Sequence, residues 1–226
     1  MKIEVLKGLL YDIAAKRDKM GEREYTAEKF YASELGYCPR RLYYSRMKTE
    51  KKEPFPKNYF RLEDGTAIHR KIQSDLKELG ILVEKEKRLN EPLLGISGHF
   101  DGVIKLDLGN GDELILLEIK TINKAGFIKL LAPKRANFVQ ANFYAIKKGL
   151  KKIWFLYYCV DNGEIKEFLE LVDIGVYSET IEKIKEVRRC IAIGTPPVTM
   201  YEDDCYFCPY GWCCKERKEP TKCLIL

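Results

Sequence analysis

Apolar positions change their spacing twice along this chain, and those changes divide it. Near the start they fall at Ile3, Leu6, Leu9, Leu10 and Ile13. That is the spacing of one helix face, and it predicts a helix over residues 1–20. Pro39 is suited to the first position of a second helix. Residues 48–57 are charged and contain Pro54 and Pro56, which predicts an exposed loop. The helical period returns over residues 58–79 and stops at Gly80. Between residues 81 and 120 the pattern becomes strand-like, with strands expected at 81–83, 95–107 and 113–121. A helix follows over 135–148, closed by Gly149. Residues 153–158 read as a buried strand, which Asp161-Asn162-Gly163 turns into a partner over 164–171. A last long helix covers 174–193, ahead of Pro196-Pro197.

Helices, strands, helix, strands, helix is the order of an α/β fold with a mixed central sheet flanked by helices. The 226 residues suit one large domain or a core with a small appendage. We divide them into an N-terminal helical region (1–57), a core (58–195) and a cysteine-rich tail (196–226). Hydrophobic residues make up 46% and charged residues 33%, which excludes a disordered chain. The longest apolar run, residues 153–160, is far short of the ~20 needed to span a bilayer. No secretory leader pattern is present, so a cytoplasmic protein without a membrane partner is expected. Forty basic against 34 acidic residues give a net charge of +6, which permits an anionic partner without requiring one. Gln and His are scarce while Lys, Glu and Ile are plentiful, a pattern of adaptation to high temperature.

One hairpin gathers charge. Asn110-Gly111 between two strand-like segments is a strong turn signal. With these two residues as the loop, Gly109 pairs with Asp112, Asp101 falls opposite Lys120, and Val103 falls opposite Glu118. Strand side chains alternate, so Asp101, Val103, Glu118 and Lys120 share a face. The two carboxylates are then diagonal neighbours roughly 7 Å apart. That span suits one divalent cation with oxygen ligands. The lysine is left to orient water or neutralise developing charge. Leu114-Ile115-Leu116-Leu117 reads as a strand buried on both faces, where the following Glu118 needs partners. Taken alone, the hairpin is read first as a plain cross-strand ion pair between Asp101 and Lys120.

Further motifs change that weighing. Gly65-x-x-x-His69 precedes the strands, Gly98-x-x-Asp101 and Glu118-x-Lys120 lie on the hairpin, and Gln140-x-x-x-Tyr144 shares one face of the next helix. In this order the motifs resemble the RecB-like branch of the PD-(D/E)XK nucleases. The resemblance implies a restriction-endonuclease-like core. It implies Asp101, Glu118 and the carbonyl of Ile119 as ligands of Mg²⁺ or Mn²⁺, with His69 as a further ligand. Lys120 would be the catalytic lysine, and Gln140 and Tyr144 would contact DNA or brace the site. His99 has the strand parity of Asp101, but the family motif carries no histidine there, so it reads as a supporting or surface residue.

Five of the eight cysteines lie between Cys205 and Cys223. Without an export signal, such clustering points to metal rather than disulfides. Cys205-x2-Cys208-x5-Cys214 supplies three thiolates, and Cys38 is the natural fourth. Four thiolates suit a [4Fe–4S] cluster or a tetrahedral zinc, and spacing does not choose between them. A single upstream cysteine with such a tail, together with Tyr37-Cys38-Pro39-Arg40-Arg41-Leu42-Tyr43-Tyr44, resembles the iron–sulfur RecB-like nucleases. These include the CRISPR-associated exonucleases, fourth in that nomenclature, and free-standing viral and archaeal relatives. The likeness spans about residues 25–216 and implies the cluster, clipping the N-terminal helices to the tail. Cys213 beside Cys214 leaves the last ligand open. Cys159, Cys190 and Cys223 read as buried or incidental thiols.

Basic residues are interleaved with aromatics at Arg40, Arg41, Tyr43 and Tyr44, and cations gather at Lys124, Lys129, Lys134 and Arg135. This composition suits single-stranded DNA. A solvated basic surface over core tyrosines fits it equally. No base-reading motif stands out. The expectation is a metal-dependent DNA nuclease, a single-strand exonuclease, for which the resemblance favours 5′→3′ polarity and some endonuclease activity. The resemblance also suggests CRISPR spacer acquisition beside the integrase complex. The alternatives are a free-standing repair or viral nuclease, a non-catalytic iron–sulfur DNA-binding subunit, and a zinc-stabilised module. A homo-oligomer stays open.

Overall fold

The computed structural model describes residues 5–20, 24–51, 57–109, 111–198 and 208–216. The chain runs α1 (Val5–Met20), β1 (Phe30–Tyr31), α2 (Pro39–Arg46), α3 (Lys57–Glu78), β2 (Leu82–Lys85), β3 (Arg88–Glu91), β4 (Ile96–His99), β5 (Gly102–Asp107) and β6 (Asp112–Ile122). It continues with α4 (Lys124–Lys129), α5 (Arg135–Lys147), β7 (Lys152–Cys159), β8 (Ile165–Leu171), α6 (Ile174–Ile193) and α7 (Gly211–Glu216). A five-stranded mixed sheet has the order β2-β5-β6-β7-β8, with β6 and β7 parallel and its other neighbours antiparallel. A three-stranded sheet, β1-β4-β3, stands beside it. Among the described residues no helix is long and apolar enough to cross a membrane.

Local chemistry places the helix ends. Pro39 opens α2 behind Cys38. Gly80, at φ 74°, ends α3 in the left-handed region that a side chain disfavours. Asp173 starts α6 by accepting from the Val176 amide at 2.9 Å. The central strand β6 buries both faces. Ile115, Leu117 and Ile119 pack with Ile72 of α3, while Leu116 joins Val103, Phe155 and, from α5, Val139 and Phe143. That second cluster also takes in Leu42 and Tyr43 of α2, Val187 of α6, and Tyr210 and Cys213 from the tail, so all three expected regions contribute to one core.

Two expectations are corrected here. The strand expected over 95–107 is broken at Phe100-Asp101. Its first half, β4, joins the small sheet and its second half, β5, the large one. The hairpin register also differs. Asp107 pairs with Asp112, leaving a four-residue loop, and Val103 pairs with Leu116 rather than Glu118. Asp107 Oδ1 accepts from the amides of Gly109 at 2.7 Å and Gly111 at 3.0 Å, with both glycines at positive φ. A carboxylate closing its own turn has displaced the two-residue Asn-Gly loop. The slip is one residue on each strand, so facing is unchanged. Continuing the ladder sets Asp101 across from Glu118, not Lys120. Strands β1 and β3 and the short helix α4 lay outside the sequence expectation.

Candidate active site

β5 stops at Gly102, opposite Leu117, while β6 runs on beside β7 to Ile122. The last turn of β6 therefore has an edge that β5 does not cover. Asp101, the residue just before β5, fills part of it. Its Oδ2 accepts from the Ile119 amide at 2.7 Å, in place of the ladder bond β5 would have made. A strand residue's N–H and C=O point to the same side. The Ile119 carbonyl therefore points toward the Asp101 side as well.

Helix α3 grips the same aspartate. His69 Nδ1 lies 3.3 Å from Asp101 Oδ1. One turn on, Gln73 donates Nε2 to the Asp101 carbonyl at 2.9 Å. Gly65 lets this helix approach, because a Cβ there would sit 3.3 Å from Thr121 Oγ1 on β6. Gln73 was missed in the sequence. Its signal was present, four residues after His69 on the same helix face.

Glu118 is fully buried, and its Oε1 lies 2.6 Å from Lys120 Nζ. Neither of its oxygens has a well-aligned hydrogen bond among the described residues. Burial raises its carboxyl to about 7, with Lys120 opposing the rise and Asp101 adding to it. Burial alone would lower the Lys120 ammonium. The carboxylates of Glu118 and Asp101 more than offset it and leave that pKa raised. Lys120 also reaches Gln140 Oε1 at 3.4 Å. Tyr157, level with Lys120 on β7, accepts from the Lys134 amide at 3.0 Å and from Asn137 Nδ2 at 2.8 Å. This ties the basic segment before α5 to the site. Two carboxylates and a backbone carbonyl are oxygen donors of the kind a hard divalent cation takes, and the imidazole is a softer donor beside them. A buried carboxylate with an unsatisfied oxygen fits that role. Among the described residues no three His, Cys, Asp or Glu side chains stand together as a ready metal cage.

A cavity of about 320 Å³ adjoins the site through Gln140 and is lined also by Tyr31, Ser33, Arg88, His99 and Tyr144. His99 is exposed and lines that cavity. Tyr144 is buried against Phe100 and Phe143 and lines the cavity, with its hydroxyl over Gly98. A Cβ on Gly98 would come within 2.2 Å of that hydroxyl, so two of the motifs meet here.

The other expected DNA contacts divide. Lys134 and Arg135 are exposed, and Arg135 pairs with Glu179 at 3.3 Å. Arg40 Nε donates to the Pro197 carbonyl at 2.9 Å, and Arg41 stacks 3.7 Å over the Tyr37 ring. Tyr43 is a correction. It is buried edge-on to Tyr44, so its ring has no face for a base.

Cysteines 38, 208, 213 and 214 are not in disulfides, while Cys205 and Cys223 lie outside the described residues. Cys190 is buried, as expected, and is disulfide-bonded. Burial pushes the Cys214 thiol up to about 11, and Cys213, Cys208 and Cys38 all add to the rise, so Cys38 is close enough to the tail to be felt there. The Cys213 thiol is buried and donates to the Tyr210 carbonyl at 3.0 Å. The turn before Cys38 is pinned twice. Gly36 packs where a Cβ would come within 2.3 Å of the Ala136 backbone, and Lys183 donates to the carbonyls of Leu35 and Tyr37.

No protein-family profile and no curated protein sequence matches the chain. Solved structures do. The protein SSO0001 matches with a TM-score of 0.55 at 20% identity, over 92% of this chain and 94% of that one. An alkaline exonuclease, LHK-Exo from Laribacter hongkongensis, matches with a TM-score of 0.53 at 17% identity, over 74% of this chain and 89% of that one. LHK-Exo in complex with dAMP matches with a TM-score of 0.54, also at 17% identity, with the same coverage. This chain shares their mixed α/β fold.

Proposed function

We propose that this chain is a divalent-metal-dependent deoxyribonuclease that degrades single-stranded DNA from an end, with 5′→3′ polarity and some endonuclease activity. The observation that carries the reading is the fully buried Glu118 beside Lys120, at the strand end where Asp101 and His69 converge. A fold gains nothing in stability from a buried carboxylate with an unpaired oxygen, so its presence calls for a chemical role. The fold shared with an alkaline exonuclease, and with that enzyme's dAMP complex, supports the same reading.

Asp101, Glu118, the Ile119 carbonyl and His69 would hold Mg²⁺ or Mn²⁺. When bound, such an ion polarises the phosphodiester and lowers the pKa of a water. Lys120, held cationic by its carboxylate neighbours, stabilises negative charge building on the phosphate. Gln140 steadies that ammonium from α5. The cavity beyond Gln140 has the size for a nucleotide, and Arg88 and His99 on its wall suit the neighbouring phosphate. Exposed Lys134 and Arg135 carry the strand past the site.

Cys38, Cys205, Cys208 and Cys214 would hold a [4Fe–4S] cluster that fastens α2 to the tail. The biological setting we propose is the trimming of DNA for CRISPR spacer acquisition beside the integrase complex. The test is cleavage of single strands labelled at either end, by anaerobically purified protein in Mn²⁺ or Mg²⁺. The reading expects divalent-dependent shortening from the 5′ end, absent from Asp101→Ala. Tight DNA binding without cleavage would replace it with a non-catalytic DNA-binding subunit. Stoichiometric zinc without iron would replace the cluster.

A further inference from the structure

Asp101 lies in a gap of the backbone ladder. β4 ends at His99 and β5 begins at Gly102, in different sheets. Across such a break the backbone hold is thin, here two long bonds, Glu86 amide to Asp101 carbonyl at 3.3 Å and Phe100 amide to Lys87 carbonyl at 3.4 Å. The position of Asp101 depends also on what reaches it from elsewhere. Its carbonyl has two donors, the Glu86 amide at 3.3 Å and the Gln73 side chain at 2.9 Å. The Gln73 bond is the shorter and comes from α3, the helix that carries His69.

Gln73 itself is placed at a cost. It is 0% exposed, and its Oε1 has no hydrogen-bond partner among the described residues. It sits on the helix face of Ile68, Ile72 and Leu76, which packs against the apolar side of the sheet. An apolar residue of the same length would fill that place without burying an unpaired oxygen. A polar residue kept where an apolar one would be more stable marks a functional constraint.

We infer that Gln73 is a positioning residue for Asp101: its amide fixes the Asp101 backbone, so that the carboxylate stays level with Glu118 while His69 steadies the side chain. The inference rests on the nuclease reading and adds to it a residue that no motif includes. Gln73 does not touch the reacting atoms. It acts through Asp101.

The test is Gln73→Met in the full chain, with Gln73→Leu as a second apolar replacement should the first fold poorly. Three quantities are read: the thermal midpoint, the separate kcat and KM on single-stranded DNA, and Mn²⁺ affinity by calorimetry. A merely structural glutamine predicts a lower midpoint with kinetics unchanged. Positioning predicts a midpoint close to wild type, because losing the bond to the Asp101 carbonyl is offset by removing the unpaired oxygen. It also predicts a kcat lower by ~10–10²-fold, the scale of an ångström-sized misplacement. KM stays near wild type, since DNA is held elsewhere, and Mn²⁺ binds severalfold more weakly. Wild-type kcat and Mn²⁺ affinity in a folded Gln73→Met protein would overturn the inference and leave the nuclease reading intact. A wild-type protein that neither cleaves DNA nor binds Mn²⁺ would overturn both, and calorimetry tells the two failures apart.

Discussion

At the end of β6 the backbone does most of the positioning. Glu118 and Lys120 are two residues apart on one strand, and the β5–β6 ladder brings the chain to the end of that strand, where Gln73 and the Glu86 amide fix the Asp101 backbone beside them. Around Cys38 the arrangement is of another kind. Its turn is held by a lysine side chain from α6 and by the close fit of Gly36 on Ala136, and Cys213 and Cys214 come from a separate short helix. In the first region a side chain can be exchanged while the ladder remains, so chemistry and stability separate. In the second the proposed ligands would themselves be the cross-link, so the two fall together.

The largest effect tests the second half of that contrast. Cys38→Ala should lower the iron content and the thermal midpoint together. Joining α2 to the tail closes a loop longer than 100 residues, for which chain entropy gives roughly 5 kcal/mol as an upper guide. Iron analysis and melting curves of anaerobic protein check it. Full iron in that variant would move the fourth ligand elsewhere.

Asp101→Ala tests the first half. Cleavage should fall by at least ~10²–10³-fold, the scale for losing one preorganised electrostatic contact. The midpoint should move little, since β5 and β6 still pair at Gly102 and beyond. A large drop in stability would mean that Asp101 mainly caps the Ile119 amide, and the two regions would then be built alike.

How legible each region was in the sequence follows from the same difference. Alternation along β5 and β6 gave the shared face of Asp101, Glu118 and Lys120. That survived a register error because the slip was by one residue on each strand. The error came from Asp107, whose turn-closing carboxylate is a local choice that hydrophobic pattern does not encode. The break at Phe100-Asp101 was invisible for a related reason. Residues 95–107 alternate as one strand, and only tertiary pairing sends the halves to different sheets. Tyr43 was misjudged because a tyrosine beside arginines looks the same in sequence whether its ring is buried or offered. Spacing grouped the cysteines, yet the Gly36 and Lys183 contacts that fix Cys38 join residues a hundred or more positions apart.

A pH experiment sharpens the contrast from the acidic side. Glu118 has its folded pKa raised from 4.5 to about 7, chiefly by burial. The folded state then binds more protons than the unfolded state between those values. The stability this lends is fully present below about pH 4.5 and is lost as pH rises toward 7. A shift of this size is worth on the order of 3 kcal/mol. In metal-free protein, Glu118→Gln should flatten this part of the stability–pH curve, and Mn²⁺ should flatten it in wild type by favouring the ionised carboxylate. An unchanged slope in the variant would place the titration elsewhere.

The smallest effect separates neighbours within the cysteine region. Cys213 and Cys214 are adjacent, but helical geometry turns successive side chains about 100° apart, so they cannot share one ligand position. The Cys213 thiol is buried in the large core cluster and bonded to the Tyr210 carbonyl, while Cys214 is half-buried and senses both Cys208 and Cys38. Cys213→Ala should therefore cost only about 1 kcal/mol, the scale of one hydrogen bond and a small loss of packing, with iron and cleavage retained. Cys214→Ala should behave like Cys38→Ala, losing iron and stability together. Iron content and urea midpoints of the two variants, prepared side by side, make the comparison. The reverse result, iron lost with Cys213 and kept without Cys214, would turn α7 about its axis relative to Cys38. The cluster would then draw its last ligand from the buried side of that helix.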